Sequence, residues 1–349
     1  MLRATLAALL ATTLAGCGSA GYLGQSMRGH LSLLDRARPV PEVLADPATP
    51  AALKARLALA QRIRDFASAE LKLPDNASYR RYADLQRNAA VWNVVAAPEL
   101  SLALQTNCFP VVGCVGYRGY YAPVDAEAEA TRLRAQGLEV GVYPVPAYST
   151  LGKLPGSYFA DPLLNTFIQY PEGELARLIF HELAHQVAYA AGDTTFNESF
   201  ATAVERIGGA RWLQEHADAA ARAEYARFDE RRQDFRRLTG ATRDTLDAIY
   251  RSTATVDEKR ARKAAALAQL RAEHERLKRE RWAGFTGYDA WFARANNASF
   301  GVLAAYAEQV PAFERLFERQ GRDFERFFAE VKRLAALPPE ARGAEFASL

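Results

Sequence analysis

The pentapeptide His181-Glu182-Leu183-Ala184-His185 sets two imidazoles four residues apart with a carboxylate beside the first. On a helix, positions i and i+4 stand one above the other, so both rings can reach one zinc ion that keeps an open position for water. Glu182 flanks the same face, where it can take a proton from that water, which makes it the expected general base. Two histidines need a third protein ligand, and Glu198, in Phe196-Asn197-Glu198-Ser199-Phe200-Ala201, is the best placed acid. Thr195-Phe196-Asn197-Glu198 also reads as a capping box, in which Glu198 would bond only the backbone at Thr195. Glu205, seven residues on, is the competing ligand or a group that orients a ligand histidine from behind.

These side chains need helices to position them. Pro171 suits a first helical position, Glu172 and Glu174 favour the positive end of the helix dipole, and Gly192 offers a left-handed cap, so a helix is expected over 171–191. Leu175, Leu178, Ile179, Leu183 and Val187 give it an apolar face. After a turn at 192–195, a second helix carries Glu198 in its first turn and is expected to end at Gly208-Gly209.

The stretch Phe180–Gln186, taken with Asn197-Glu198-Ser199-Phe200-Ala201, resembles the gluzincin metallopeptidases, whose large aminopeptidases carry a similar Asn-Glu-Gly-Phe-Ala segment. Only twelve residues separate His185 from Glu198, fewer than in those enzymes. The chain is more closely similar to a bacterial family of predicted aminopeptidases that are often lipoproteins. That similarity extends through Val115–Tyr121, Tyr148–Gly152, Asp161–Thr166 and Asn296-Asn297-Ala298. It implies a zinc-dependent peptidase, with aminopeptidase activity expected from the family alone. The Gly-Ala-Met-Glu-Asn segment with which the large aminopeptidases hold a substrate ammonium is absent, and Glu205, Asp161 and Glu172 are unassigned acids. A zinc endopeptidase, a cell-wall peptide amidase and a scaffolding lipoprotein stay open as alternatives; an intact Glu182 speaks against the last.

Arg3, the apolar run Ala4–Thr13 and Leu14-Ala15-Gly16-Cys17 read as a lipoprotein signal. Residues 1–16 are expected to be removed and Cys17 acylated, anchoring a periplasmic body to the envelope; Gly18 after the acylated cysteine resembles an outer-membrane sorting pattern. In that oxidising compartment Cys108 and Cys114 are expected to form a disulfide. A formal charge of +3 from 44 basic and 41 acidic residues gives no case for a nucleic-acid partner. His30, His216 and His274 read as surface residues.

The expected fold is α+β, mainly helical: a zincin-like core with a small sheet beside the metal-binding helix, and a long antiparallel helical hairpin. The catalytic region would span 17–209 and a helical region 210–349. Helices are expected over 31–38, 51–71 and 79–90, and strands at 91–95, 111–121, 139–145 and 157–160. Residues 210–250 and 256–281 form the hairpin, with Tyr225, Phe228, Phe235, Leu238, Leu246 and Ile249 along its seam. Tyr148, between sheet and zinc helix, is a candidate substrate contact, and Tyr306 a candidate oxyanion donor.

Overall fold

The computed structural model describes residues 21–109, 113–147, 156–305 and 309–347. The signal segment, Cys17, Tyr148 and Tyr306 lie outside the described residues.

The chain is α+β and mainly helical. Helix α1 covers residues 21–35, followed by β1 (Arg38–Pro39), α2 (Val40–Ala45) and α3 (Ala51–Ala69). The strand-rich interval holds β2 (Arg81–Ala83), β3 (Val91–Pro98), β4 (Asn107–Phe109), β5 (Gly113–Val115) and β6 (Arg118–Tyr120), then α4 (Pro123–Arg134), β7 (Leu138–Val145) and β8 (Leu163–Leu164). Helices α5 (Glu172–Ala184), α6 (Thr194–Glu215), α7 (Ala219–Arg251) and α8 (Val256–Glu280) follow. Four shorter helices, α9 (Asp289–Arg294), α10 (Asn297–Ala305), α11 (Val310–Arg319) and α12 (Phe324–Ala335), precede α13 (Pro339–Ala347).

Strand β3 is the centre of the main sheet, antiparallel to β6 on one side and β7 on the other. Its side chains alternate between faces as a strand requires. Val94 and Ala96 pack with Ala126, Ala130 and Leu133 of α4, whereas Val95 and Ala97 pack with Ala298 of α10. The largest core lies under α3, α5, α6, α11 and α12, where Ile63, Phe66, Ile179, Phe180, Phe200, Phe313 and Phe327 interlock. A second core joins the α7–α8 hairpin to α9 and α10 through Phe235, Leu246, Leu270, Trp282, Phe292 and Phe300.

Several expected boundaries are corrected. The helix expected over 171–191 stops at Ala184 with His185 as its cap, because the next residues fold into turns that bring α6 back against α5. Asn197 holds that return by bonding both the amide and the carbonyl of Ala190, each at 2.8 Å. Gly192 does adopt a left-handed conformation (φ 78°), but within this connection. No helix forms over 79–90. Buried Arg64 instead gathers the carbonyls of Pro74, Asn76 and Ser78, Tyr79 takes a positive φ of 63°, and β2 pairs with β1 and β8. Asn165 then captures Leu85 N and Arg87 O. The strand expected at 157–160 is a single turn of tight helix at Ser157–Phe159, and the sheet is joined by Leu163–Leu164. The strand expected over 111–121 is divided into β5, paired with β4 across the Cys108–Cys114 disulfide, and β6; its residues 111–112 are not described.

Helix α6 passes through Gly208-Gly209 rather than ending there. A side chain at 208 would meet Leu71 Cδ1 at 2.5 Å and Phe180 Cδ2 at 3.0 Å, and one at 209 would meet Arg177 Cγ at 2.7 Å. The glycines let α6 lie close on α5. Gly208→Val is expected to destabilise the fold by about 1–3 kcal/mol through overpacking, read as a lower denaturant midpoint; an unchanged midpoint would contradict this packing. The hairpin's first arm begins anew at Ala219, capped by Asp218, whose carboxylate accepts from Ala221 N. Thr255 and Glu258 form a capping box at the start of the second. Phe235 and Leu246 are buried in the seam, but Tyr225 turns to α5, donating no part to it. His274 is buried and stacked on Phe292 at 4.0 Å, which corrects its reading as a surface residue.

Candidate metal centre

Helices α5 and α6 bring His181, His185 and Glu198 together. His181 Nε2 lies 3.2 Å from His185 Nε2 and 3.3 Å from Glu198 Oε2, and His185 Nε2 lies 3.7 Å from the same oxygen. Ligand atoms held 2.0–2.1 Å from a tetrahedral ion stand about 3.3 Å apart. The three donors therefore already have the separations that one such ion demands. Their side chains are only 8–13% exposed, and Glu198 Oε2 is buried without an aligned hydrogen bond. Clustering bare imidazoles around a buried carboxylate oxygen is costly unless a cation or shared protons compensate. The donor set, two imidazole nitrogens and one carboxylate oxygen, suits zinc.

Glu198 is free for this role because Asp193, not Thr195, caps α6: its Oδ1 accepts from Phe196 N at 2.9 Å. Glu205 stands behind the histidines. Its Oε2 is 3.1 Å from His181 Nδ1, and its Oε1 accepts from Arg177, which is itself almost wholly buried and bonds Tyr225 Oη at 3.0 Å. Since a carboxylate only accepts, Nδ1 carries a proton in this contact, which leaves Nε2 as the nitrogen that a metal ion would take in place of a proton. Of the two acids considered as third ligand, Glu198 faces both Nε2 atoms and Glu205 faces the far side of His181.

The charges follow from this arrangement. Burial opposes a charged imidazole at 181, yet Glu198 and Glu205 outweigh it and hold His181 well above the ordinary histidine range. Burial would raise Glu198, but His185 and His181 prevail and hold it far below the usual carboxylate range. Glu205 is likewise raised by burial but drawn down to about 2 by Arg177 and His181. Glu182 differs: burial pushes it up, with Glu198 and Glu205 adding to the rise and the two histidines opposing it. It makes no hydrogen bond or ion pair among the described residues, so its carboxylate is uncommitted.

Two phenols that sequence reasoning missed border the cluster. Tyr79 is buried near Glu182 and Asp161, and burial together with those charges pushes it well above its ordinary value. Tyr143 of β7 is pushed up to about 12 by burial, with Glu198's charge adding to it and the Asn93 hydrogen bond (3.4 Å) opposing it. Both remain neutral donors near pH 7. Neither carried a local signal, since pairing of β7 with β3 and the fold of the 74–79 loop bring them in. Arg177 did carry one: it precedes His181 by one helical turn, on the same face.

Of the acids considered for an ammonium, Glu172 accepts from Trp212 Nε1 at 3.0 Å, and Glu205 is engaged as described. Asp161 is buried, with Gln186 Nε2 3.4 Å from its Oδ2. A second acidic group, His274 with Glu275 and Asp289, could also gather around an ion. There the Lys278 ammonium already pairs with Asp289 at 2.6 Å, leaving no call for a cation. Among the described residues no helix is long and apolar enough to cross a membrane.

Fold and site together define a mainly helical α+β protein with a three-donor cluster able to hold one metal ion and an uncommitted carboxylate beside it. Residues 21–346 match the model of a family described as "Putative aminopeptidase", and the chain belongs to that family. No curated protein and no solved structure matches it.

Proposed function

We propose that the protein is a zinc-dependent peptidase, with aminopeptidase activity, in which His181, His185 and Glu198 hold the ion. The observation that carries this reading is the convergence of three donor atoms, on side chains 8–13% exposed, at separations fit for one tetrahedral ion, beside an uncommitted Glu182. Helices α5 and α6 with the β6-β3-β7 sheet are then a zincin-like core. Zinc bound there would supply Lewis acidity, lowering the pKa of a water and polarising the scissile carbonyl. Glu182 takes the proton of the attacking water and passes it to the leaving amine. Glu205 fixes the tautomer and orientation of His181 through Nδ1, and Arg177 holds Glu205 in turn. Acylated Cys17 anchors the mature chain to the envelope, facing the periplasm.

Glu205→Gln is expected to weaken zinc affinity about 10–100-fold, read by competition with a chelator, because the Nδ1 contact loses its charge. The same variant should also lose stability, since it deprives buried Arg177 of its closest counter-charge. Unchanged zinc affinity would assign Glu205 to the Arg177 ion pair alone.

Mass-spectrometric mapping of cuts in a mixed peptide pool, with free and acetylated amino ends, tests the activity. Stepwise loss from free ends, blocked by acetylation, is the expected result. Internal cuts indifferent to acetylation would make the protein an endopeptidase, a reading favoured by the engagement of Glu172 and Glu205 elsewhere. Zinc-loaded protein that cuts nothing would overturn the peptidase reading.

A further inference from the structure

We infer that the cavity beside Glu198 receives a bulky, uncharged apolar side chain of the peptide, next to the bond that is cut; the inference rests on the peptidase reading. The cavity has a volume of about 310 Å³, near the lower end of the roughly 300–1,000 Å³ typical of ligand pockets. One wall is the sheet and α10, through Val95, Tyr143 and Val302; Leu102 and Leu104 form another. Thr194 and Thr195, in the first turn of α6, line a third. These threonines precede Glu198 by four and three residues, so all three lie on one face of α6, and the cavity lining ends one helical turn before Glu198 along the helix. Tyr143 of β7 lines the cavity from the sheet side, its hydroxyl accepting from Asn93 Nδ2 at 3.4 Å.

The polar groups of the lining decide what can enter. Asp193 is the only charged residue among the described lining residues. Both its oxygens are engaged: Oδ1 accepts from Phe196 N at 2.9 Å, and Oδ2 pairs with the almost fully buried Arg342 at 2.9 Å. It therefore has no charge to spare for a lysine or arginine. Among the described lining residues there is no Lys or Arg to receive an acidic side chain. An ionised group there would be desolvated without a partner, which is strongly unfavourable, whereas leucine or phenylalanine would replace water against apolar walls.

The test uses zinc-loaded Glu182→Gln protein, so that binding is read without turnover. Tetra-alanine peptides carrying one Leu, Phe, Asp or Lys, scanned through the four positions, are titrated calorimetrically. At one position Leu and Phe should bind roughly tenfold or more tighter than Ala, with Asp and Lys no better than Ala. Val302→Trp, which fills the cavity, should erase that preference, and Leu104→Ala, which enlarges it, should move the preference from Leu toward Phe. Equal binding of all side chains at every position, or a preference that neither variant alters, overturns the pocket. Cleavage by the wild-type protein with indifference to side chain would overturn the pocket alone. A clear side-chain preference in binding with no cleavage by the wild type would overturn the peptidase reading and leave the pocket standing.

Discussion

Glu182→Gln is expected to retain its zinc and to lower kcat by about 10²–10⁴-fold, the usual contribution of a positioned general base. The substitution keeps the side chain's size and removes only its capacity to take a proton. Glu182 bonds nothing among the described residues, so the fold should not depend on its charge. Burial already penalises that charge and pushes the carboxyl up, toward the range in which a base can both accept and release a proton near neutrality. Zinc content by elemental analysis, circular dichroism and turnover on one preparation check the prediction. Full activity at full zinc occupancy would remove Glu182 from the chemistry. Loss of zinc along with activity would instead make it a ligand.

The second large effect is expected from Glu198→Ala. This variant should lose zinc by a wider margin than the about 10–100-fold expected of an outer partner such as Glu205, and with it all measurable turnover. The contrast follows from geometry. Glu198 Oε2 lies within 3.7 Å of both Nε2 atoms, while Glu205 reaches only the opposite nitrogen of His181. Measuring zinc affinity of the two variants side by side separates the roles. Glu205→Gln losing more zinc than Glu198→Ala would reverse them.

What the sequence made legible was the local part of this site. A four-residue spacing determines which side chains share a helix face, so His181 and His185 could be paired from the chain alone. The strands at 91–95 and 139–145 were readable for a similarly local reason. The connection between α5 and α6 was less so. Helical periodicity continues past His185, and only the capture of Ala190 by Asn197 makes the chain leave the helix early. Gly208-Gly209 misled because glycine ends many helices, yet here it serves the close approach of α6 to Leu71, Phe180 and Arg177. Residues 79–90 misled because Arg64 and Asn165, distant in sequence, claim the backbone groups a helix would have used. Tyr79, Tyr143 and the cavity are products of topology and had no signature in any window of sequence.

The most direct test of the central claim is zinc stoichiometry and peptide cleavage measured on one preparation of the mature chain: as isolated, after chelation, and after zinc is restored. The expected result is one zinc per chain, cleavage lost with the metal, and cleavage regained on its return. Undiminished cleavage by the metal-free protein, or one bound zinc with no cleavage of any peptide, would contradict the account.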